Sequence, residues 1–435
     1  MKTKLKNCKV LLPNRTVGEG NVVVDRADGR IVAVCGASEG GSPDDVSETI
    51  DLSGCLVMPG LVNCHCHAPM TLLRGVGGGL PLQRWLEEAI FPVEAKMTDA
   101  DVAAGMTWGA LEMLAGGVTC VADMYDHSQA CADALAATGM RGNVCKPGLA
   151  FPDGSPAGRL AECVEFARTA LGGRVVADIC VHSEYLTDER FCRALADANR
   201  DMRRPLHVHV SETKREHEEC VARHSKTPIA YLADTGLLDF GGYAAHCVWC
   251  TDDDFRIMAE KGVSLVHNPT SNMKLGSGFA RIVRAMELGV NVVLGTDGPA
   301  SNDNLDMFEE MHLASLVHKG LARDATVLSR WDVIEMATKN GAKALGRVRE
   351  TGEIAVGMAA DLCVVDLRRP HLEPALDLPN LVVHSMQAGD VVMTMVGGEI
   401  LYDARSGERS WPAINHERAR FDLLSAVKRL GLTAL

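Results

Sequence analysis

The sequence predicts an α/β fold: a TIM-like (β/α)8 barrel carrying a small β-sandwich module built from both chain ends. Three observations point to it. Eight short β-rich runs alternate with helical patterns through residues 58–349. Strand-like texture with few helical patterns occupies both ends of the chain. Residues able to bind metals or move protons gather at the ends of the central runs. Such alternation reads as parallel βαβ units, and barrels place their chemistry at the C-terminal ends of their strands.

The first 57 residues supply "KVLLPN", "GNVVVDRADGRIVAVCG" and "ETIDLSGCLVMPG", short strands with the Asp-Gly hairpin signal in "RADGR". The polar "ASEGGSPDD" (37–45) reads as a loop. The eight barrel strands are expected at 60–67, 117–125, 141–149, 175–185, 205–212, 243–249, 263–271 and 290–298. Amphipathic stretches such as "TDADVAAGMTWGALEMLAGG" and "TDDDFRIMAEKG" lie between them, each opening on a Thr-Asp cap signal and ending near glycine. Beyond residue 350 strand texture returns in "GEIAVGMAADLCVVDL" and "DVVMTMVGGEILYD", and "NHERARFDLLSAVKRLG" reads as a last helix. The expected division is therefore a composite β module of residues 1–57 and 350–435, terminal helix included, around a barrel of residues 58–349.

Composition narrows the function. At 435 residues and 47% apolar content the chain can bury a large core. Its net charge of −13 argues against nucleic-acid or acidic-membrane partners, which need clustered Lys and Arg. The 15 cysteines are odd in number and scattered, which suits reduced, buried thiols rather than a disulfide framework. The N-terminal stretch has no apolar signal region and no run reaches membrane-spanning length, so a cytoplasmic location is expected.

The chemistry starts at "VNCHCHAPM" (62–70). On a strand, side chains alternate, so His65 and His67 share one face and Cys64 and Cys66 take the other, toward the wall between strand and helices. A single histidine is most often a satisfied core residue. Here, however, His182-Ser183-Glu184, His207-Val208-His209 with Glu212, His246 and Thr296-Asp297 fall at other strand ends. His209 suits a third ligand beside His65 and His67, and Asp297 a fourth that can also take a proton from water. A His3Asp set with an open position fits one Zn2+, with Fe2+ or Mn2+ as alternatives. Such an ion lowers the pKa of bound water to about 7.

Glu212 is then the candidate acid and His246 the group that orients the water. The competing reading makes Glu212 an N-terminal acid of the helix in "SETKREHEE", with Ser211 as its cap. "RGVGGGLPLQRWL" (74–86) is either a surface turn or a lid bearing Trp85. "MKLGSG" (273–278) could line the pocket. "HSE" and "CVWC" echo the cytidine-deaminase zinc signature only faintly, since His246 and not proline precedes Cys247.

The segments "PGLVNCHCHAPMTLLRG", "HVHVSET", "HCVW", "VHNPTSNMKLGSG" and "LGTDGPASNDNLDMFEEM" together resemble the amidohydrolase superfamily over nearly the whole chain. Within it the chain is most similar to methylthioadenosine/S-adenosylhomocysteine deaminases and related aminohydrolases, and "LPLQRWLEEAIFPVEAKM" (80–97), with Trp85, resembles their substrate loop. The resemblance implies metal ligation by His65, His67, His209 and Asp297. It implies proton shuttling by Glu212, assistance by His246, purine contact by His182 and ribose contact by Glu94. No lysine lies between Lys146 and Lys214, which favours one metal rather than two.

One segment departs from the family. "CKPGL" (145–149) stands where related deaminases carry an "SRGL"-like stretch. Lys146 lacks the planar fork of the arginine, which leaves the 5′ substituent open and weakens S-adenosylhomocysteine as a candidate. The expected activity is deamination of adenosine, 5′-deoxyadenosine or 5′-methylthioadenosine. The alternatives are a guanine-type base, pterin or triazine on the same scaffold, and, remotely, a non-catalytic scaffold protein. The expected partner is a small molecule, and family habit suggests a homo-oligomer.

Overall fold

The chain begins with five strands: β1 (Lys2–Leu12), β2 (Thr16–Asp25), β3 (Arg30–Gly36), β4 (Val46–Asp51) and β5 (Cys55–Pro59). The structure, a computed structural model, describes residues 1–36, 46–149 and 156–432; the loop expected at 37–45 lies outside them. The "RADGR" turn joins β2 to β3, with Gly29 at φ 72° and the Asp25 and Asp28 carboxylates accepting the Ala27 and Arg30 N–H groups at 3.0 Å each. Near the other end come β14 (Leu362–Asp366), β15 (Val391–Val396) and β16 (Glu399–Asp403). They join the first five in one sheet of order β16-β15-β14-β5-β1-β2-β3, with β4 also pairing β1. Leu5, Val22, Ile31, Val57, Leu362 and Met393 share its apolar core.

All eight expected barrel strands form. They are β6 (Leu61–Cys66), β7 (Val118–Met124), β8 (Arg141–Cys145), β9 (Val175–Cys180), β10 (Leu206–Val210), β11 (Gly242–His246), β12 (Val263–His267) and β13 (Val292–Leu294). Neighbours pair in parallel and in sequence order. The strands are buried almost throughout, as parallel strands covered on both faces must be. The two ends of the sheet meet where the Asp297 N–H donates to the His65 carbonyl at 3.0 Å and the Thr296 N–H to Asn63 Oδ1 at 3.1 Å. β13 stops short of the expected 290–298 because the chain turns there. A Cβ on Gly295 would lie 2.7 Å from Asn268 Oδ1 and 2.9 Å from the His65 amide nitrogen, so the two chains can approach only over glycine.

The cap signals hold. Thr98 and Asp101 form a capping box for helix Asp99–Ala115, and Thr251 and Asp254 for helix Asp252–Lys261, which ends on Gly262 at φ 68°. The final helix, His416–Arg429, leans on Asp99–Ala115 through Arg429 Nε and Asp101 Oδ1 at 2.9 Å. Every cysteine whose side chain is described is free and buried. Among the described residues no helix is long and apolar enough to cross a membrane.

Strand β6 departs from simple alternation. Asn63 pairs with Val121 and Cys66 with Asp123, so two residues, Cys64 and His65, face one residue of β7. This β-bulge breaks the period of two. The two cysteines part company: Cys64 packs with Val62, Cys120, Tyr243, Val266 and Val293 and against Gly341 of helix Lys339–Ala344, whereas Cys66 joins the main cluster.

Candidate metal centre and active site

The bulge turns His65 toward the strand-end histidines, and His67 follows just past the end of β6. His67 Nδ1 lies 2.5 Å from the Met124 carbonyl and His209 Nδ1 lies 2.7 Å from the His182 carbonyl. A carbonyl only accepts, so each Nδ1 carries the hydrogen and each Nε2 is left with a lone pair. Those two lone pairs face each other across 3.2 Å. His65 Nε2, fully buried and without a hydrogen-bond partner, lies 3.5 Å from Asp297 Oδ1, and His67 Nε2 lies 3.3 Å from the same oxygen. Opposed lone pairs, an orphaned nitrogen and a carboxylate are what a divalent cation would satisfy; His65, His67 and Asp297 form one group that could hold such an ion, and His65, His209 and His246 another. Asp297 is held in place by the Ser271 hydroxyl at 2.6 Å and the Gly298 N–H at 2.7 Å.

Electrostatics suit the same purpose. Burial pushes His65 down to about 4 and His209 well below its ordinary value, so both stay neutral and able to ligate. Burial opposes ionisation of Asp297, yet contact with His65 and His67 keeps it far below the usual carboxylate range.

Behind His65 stands a residue that the sequence reading did not assign a role, His207. Its Nε2 lies 2.8 Å from His65 Nδ1, and its Nδ1 lies 3.5 Å from Cys145 Sγ. If His65 ligates through Nε2, its Nδ1–H must donate to His207, which fixes the tautomer of both rings. The signal was available: His207 and His209 stand two apart on β10 and share a face.

Glu212 is buried, and burial raises its carboxyl above the ordinary value. Ser277 Oγ, from the "MKLGSG" segment, donates to it at 3.2 Å. The cap expected at Ser211 is Thr213, which precedes helix Lys214–His224 and accepts the Glu216 N–H at 3.1 Å. The Glu216 carboxylate instead reaches back to the N–H groups of Ser211 and Glu212 at 2.7 and 2.8 Å. Glu212 therefore precedes the helix rather than lying in its first turn, and this clamp leaves its side chain free for the pocket. His246 Nε2 lies 3.9 Å from Glu212 Oε2, while its Nδ1 donates to Asn272 Oδ1 at 2.9 Å. Burial alone would lower His246, but Glu212 and Asp297 outweigh it and hold the imidazole above its ordinary value.

These groups open into a cavity of about 340 Å³. His67, His209, Glu212, His246 and Asp297 line it together with His182, Glu94 and Trp85. Burial raises the Glu94 carboxyl, which accepts the Tyr125 hydroxyl at 2.6 Å. Trp85 donates to the Val76 carbonyl at 3.0 Å, and the Gly77 turn packs so closely on its ring that a Cβ there would lie 2.9 Å from Cδ1. Lys146 is not brought into this group. It lines an adjoining cavity, with its ammonium 3.0 Å from Asp126 and 3.4 Å from Glu162.

The amidohydrolase family model matches residues 56–401. The chain belongs to the amidohydrolase family. This amidohydrolase is 42% identical over 384 residues to a 5-methylthioadenosine/S-adenosylhomocysteine deaminase of Acetivibrio thermocellus, covering 88% of each chain. It is 42% identical over 405 residues to a 5′-deoxyadenosine deaminase of Methanosarcina mazei, covering 91% of this chain and 92% of the other. Among solved structures, an adenosine deaminase from Xanthomonas campestris with bound zinc superposes at a TM-score of 0.92 and 31% identity, over 99% of this amidohydrolase and 98% of that chain.

Proposed function

We propose that the protein is a hydrolytic deaminase of adenine nucleosides. Adenosine, 5′-deoxyadenosine or 5′-methylthioadenosine gains water at C6 and loses ammonia, leaving the 6-oxo purine. One observation supports this above the rest: the buried Glu212, its carboxyl raised by burial, opens into the same cavity as His67, His209 and Asp297, with His65 Nε2 3.5 Å from Asp297. The similarity to named adenosine-type deaminases agrees with it.

One divalent ion per subunit, Zn2+ ahead of Fe2+ or Mn2+, would be held by His65, His67, His209 and Asp297 and would supply Lewis-acid activation of water. Glu212 takes one proton from the attacking water and hands it to the ring nitrogen as the oxygen adds to C6, then takes the second from the added hydroxyl and hands it to the departing amino group, which leaves as ammonia. His246, fixed by Asn272, directs the water from the other side. His182 stands against the base, and the Glu94 carboxylate accepts ribose hydroxyls. Residues 58–349 would form the catalytic domain and residues 1–57 with 350–435 the composite module. A cytoplasmic homo-oligomer acting on small molecules completes the reading.

The test is ammonia release from a panel of these nucleosides, S-adenosylhomocysteine, guanine, a pterin and an amino-triazine, with metal content measured alongside. Release from the nucleosides is expected to exceed the rest. A faster guanine, pterin or triazine reaction would move the assignment to that heterocycle. A metal-free protein inert to all of them would sink the enzyme reading.

A further inference from the structure

Helix Met307–Ala322, on the outside of the barrel, turns Phe308, Met311, Ala314, Ser315 and His318 inward. The opposite side of such a helix is ordinarily polar. Helix Lys214–His224 follows that rule, exposing Lys214, Arg215 and Glu218. Helix Met307–Ala322 does not. Leu316 is 46% and Leu321 55% exposed, with Leu313 and Val317 half-buried beside them. These four share one face at helical spacing. Lys319 does not charge that face, because its ammonium is drawn to the Val327 and Leu328 carbonyls at 2.6 and 2.7 Å. A helix apolar all round is a buried helix. Asp99–Ala115 is another of this kind, and the final helix, His416–Arg429, packs along it. Among the described residues no element does the same for the outer face of Met307–Ala322.

The face is also complementary to itself. Glu309, Leu316 and Arg323 stand seven positions apart, on one line along the helix. Both charged residues are exposed, and among the described residues neither belongs to an ion pair; Glu309 accepts the Asn304 amide at 2.5 Å. An antiparallel second copy, with its two-fold axis at Leu316, sets each Glu309 against the partner's Arg323. The leucines then meet on the axis, the arrangement of an isologous dimer. A parallel copy in register would oppose like charges instead. A Cβ on Gly320 would meet nothing within 4 Å, so a second backbone can come close there.

We propose that this face joins two copies of the chain about a two-fold axis at Leu316. It gives the homo-oligomer of the deaminase reading a definite interface and does not depend on the substrate. A stable interface covers about 800 Å² on each partner, more than one helix offers. Helix Leu378–His384 packs beside Met307–Ala322, with the His312 and His384 rings 5.9 Å apart. With Leu376, 89% exposed just before it, that helix extends the face.

The experiment is sedimentation equilibrium on the zinc-loaded full chain as wild type, Leu316→Glu, Glu309→Arg and Glu309→Arg/Arg323→Glu. Leu316→Glu brings two carboxylates together on the axis and should raise the dimer dissociation constant at least about a hundredfold. Glu309→Arg opposes like charges at both symmetric positions and should raise it about tenfold; the double reversal restores the pairing and should recover the wild-type value. Far-UV circular dichroism and zinc content should match the wild type throughout, which separates a lost interface from a lost fold. Should Leu316→Glu fail to fold, the two charge variants decide. A monomeric wild type overturns the homo-oligomer and this interface together, and leaves the face to a segment of the same chain or to a different protein. An oligomer that Leu316→Glu leaves intact, or a double reversal no tighter than Glu309→Arg, overturns the interface alone. Neither result bears on deamination, which the nucleoside panel tests separately.

Discussion

Glu212 and His246 answer opposite requirements with one contact. Burial raises the Glu212 carboxyl and so favours its protonated form, whereas an ionised Glu212, with Asp297, raises the His246 imidazole against its own burial, so the state of each group depends on the other. Glu212→Gln keeps the shape and removes the transferable proton. It should leave metal content near the wild-type value and cut kcat by at least about a hundredfold; a variant at full rate would remove Glu212 from the chemistry. His207 acts through another residue, so its test is metal affinity. His207→Ala should weaken zinc binding about 10- to 100-fold in competition with a chelating dye. His207→Gln, which still offers an acceptor to His65 Nδ1, should recover part of that loss, whereas a purely packing role would be better served by an apolar replacement. The paired cysteines of "CHCH" carry the contrary expectation: Cys64→Ala with Cys66→Ala should retain the metal, and loss of either His65 or His67 should not.

Strand and helix elements were legible because their signals are local. The Thr-Asp boxes, the β-rich runs and the Asp-Gly turn each depend on residues a few positions apart, and each formed, with β9, β12 and β13 ending short of their expected runs. The bulge in β6 was not legible, because it exists only against the register of β7. Without it the histidine-against-cysteine alternation put Cys64 and Cys66 on one face, whereas the two fall in different apolar clusters. The cap at Thr213 was missed for a similar reason: Glu216 reaches back past it, and the sequence alone does not say how far. Glu310, on helix Met307–Ala322, shows an element joined to the site by a group that was given no role from its place in "LGTDGPASNDNLDMFEEM". Its buried carboxyl accepts from Asn302 Nδ2 at 2.7 Å and the Thr270 N–H at 3.3 Å, and burial pushes it up to about 8. A carboxyl raised in the folded state binds more protons there than in the unfolded chain, so its stabilising effect is full below the unfolded value near 4.5 and is lost as pH rises through about 8. Glu310→Gln mimics the protonated form. Its Tm relative to wild type should therefore climb between pH 6 and 9 at fixed zinc concentration; parallel Tm profiles would contradict the assignment.

At the scale of the whole molecule, the barrel and the end-derived sheet are joined by charge rather than by surface apolarity alone. Arg141 leaves barrel strand β8 and meets Asp361, beside β14, through Nε at 2.8 Å and Nη2 at 3.0 Å. Both side chains are buried, and Asp361 also accepts the Gly397 N–H at 2.7 Å, which ties in the β15–β16 turn. Arg347 runs alongside, donating to Asn143 Oδ1 at 2.9 Å and the Gly142 carbonyl at 2.8 Å. Arg141 and Asp361 stand 220 positions apart and Arg347 and Asn143 204 apart, so the split module could be inferred from strand texture while the contact that seats it could not. A buried pair of this kind contributes little net stability over an apolar pair, yet losing one member strands a charge. Arg141→Ala should therefore cost about 3–5 kcal/mol in metal-saturated denaturant unfolding, by exposing the Asp361 carboxylate to an unpaired buried environment. Arg141→Met with Asp361→Leu should recover most of the loss, because it removes the second charge together with the first. If the single variant unfolds at the wild-type midpoint, the two parts are held by their apolar contact and the ion pair only fills the seam.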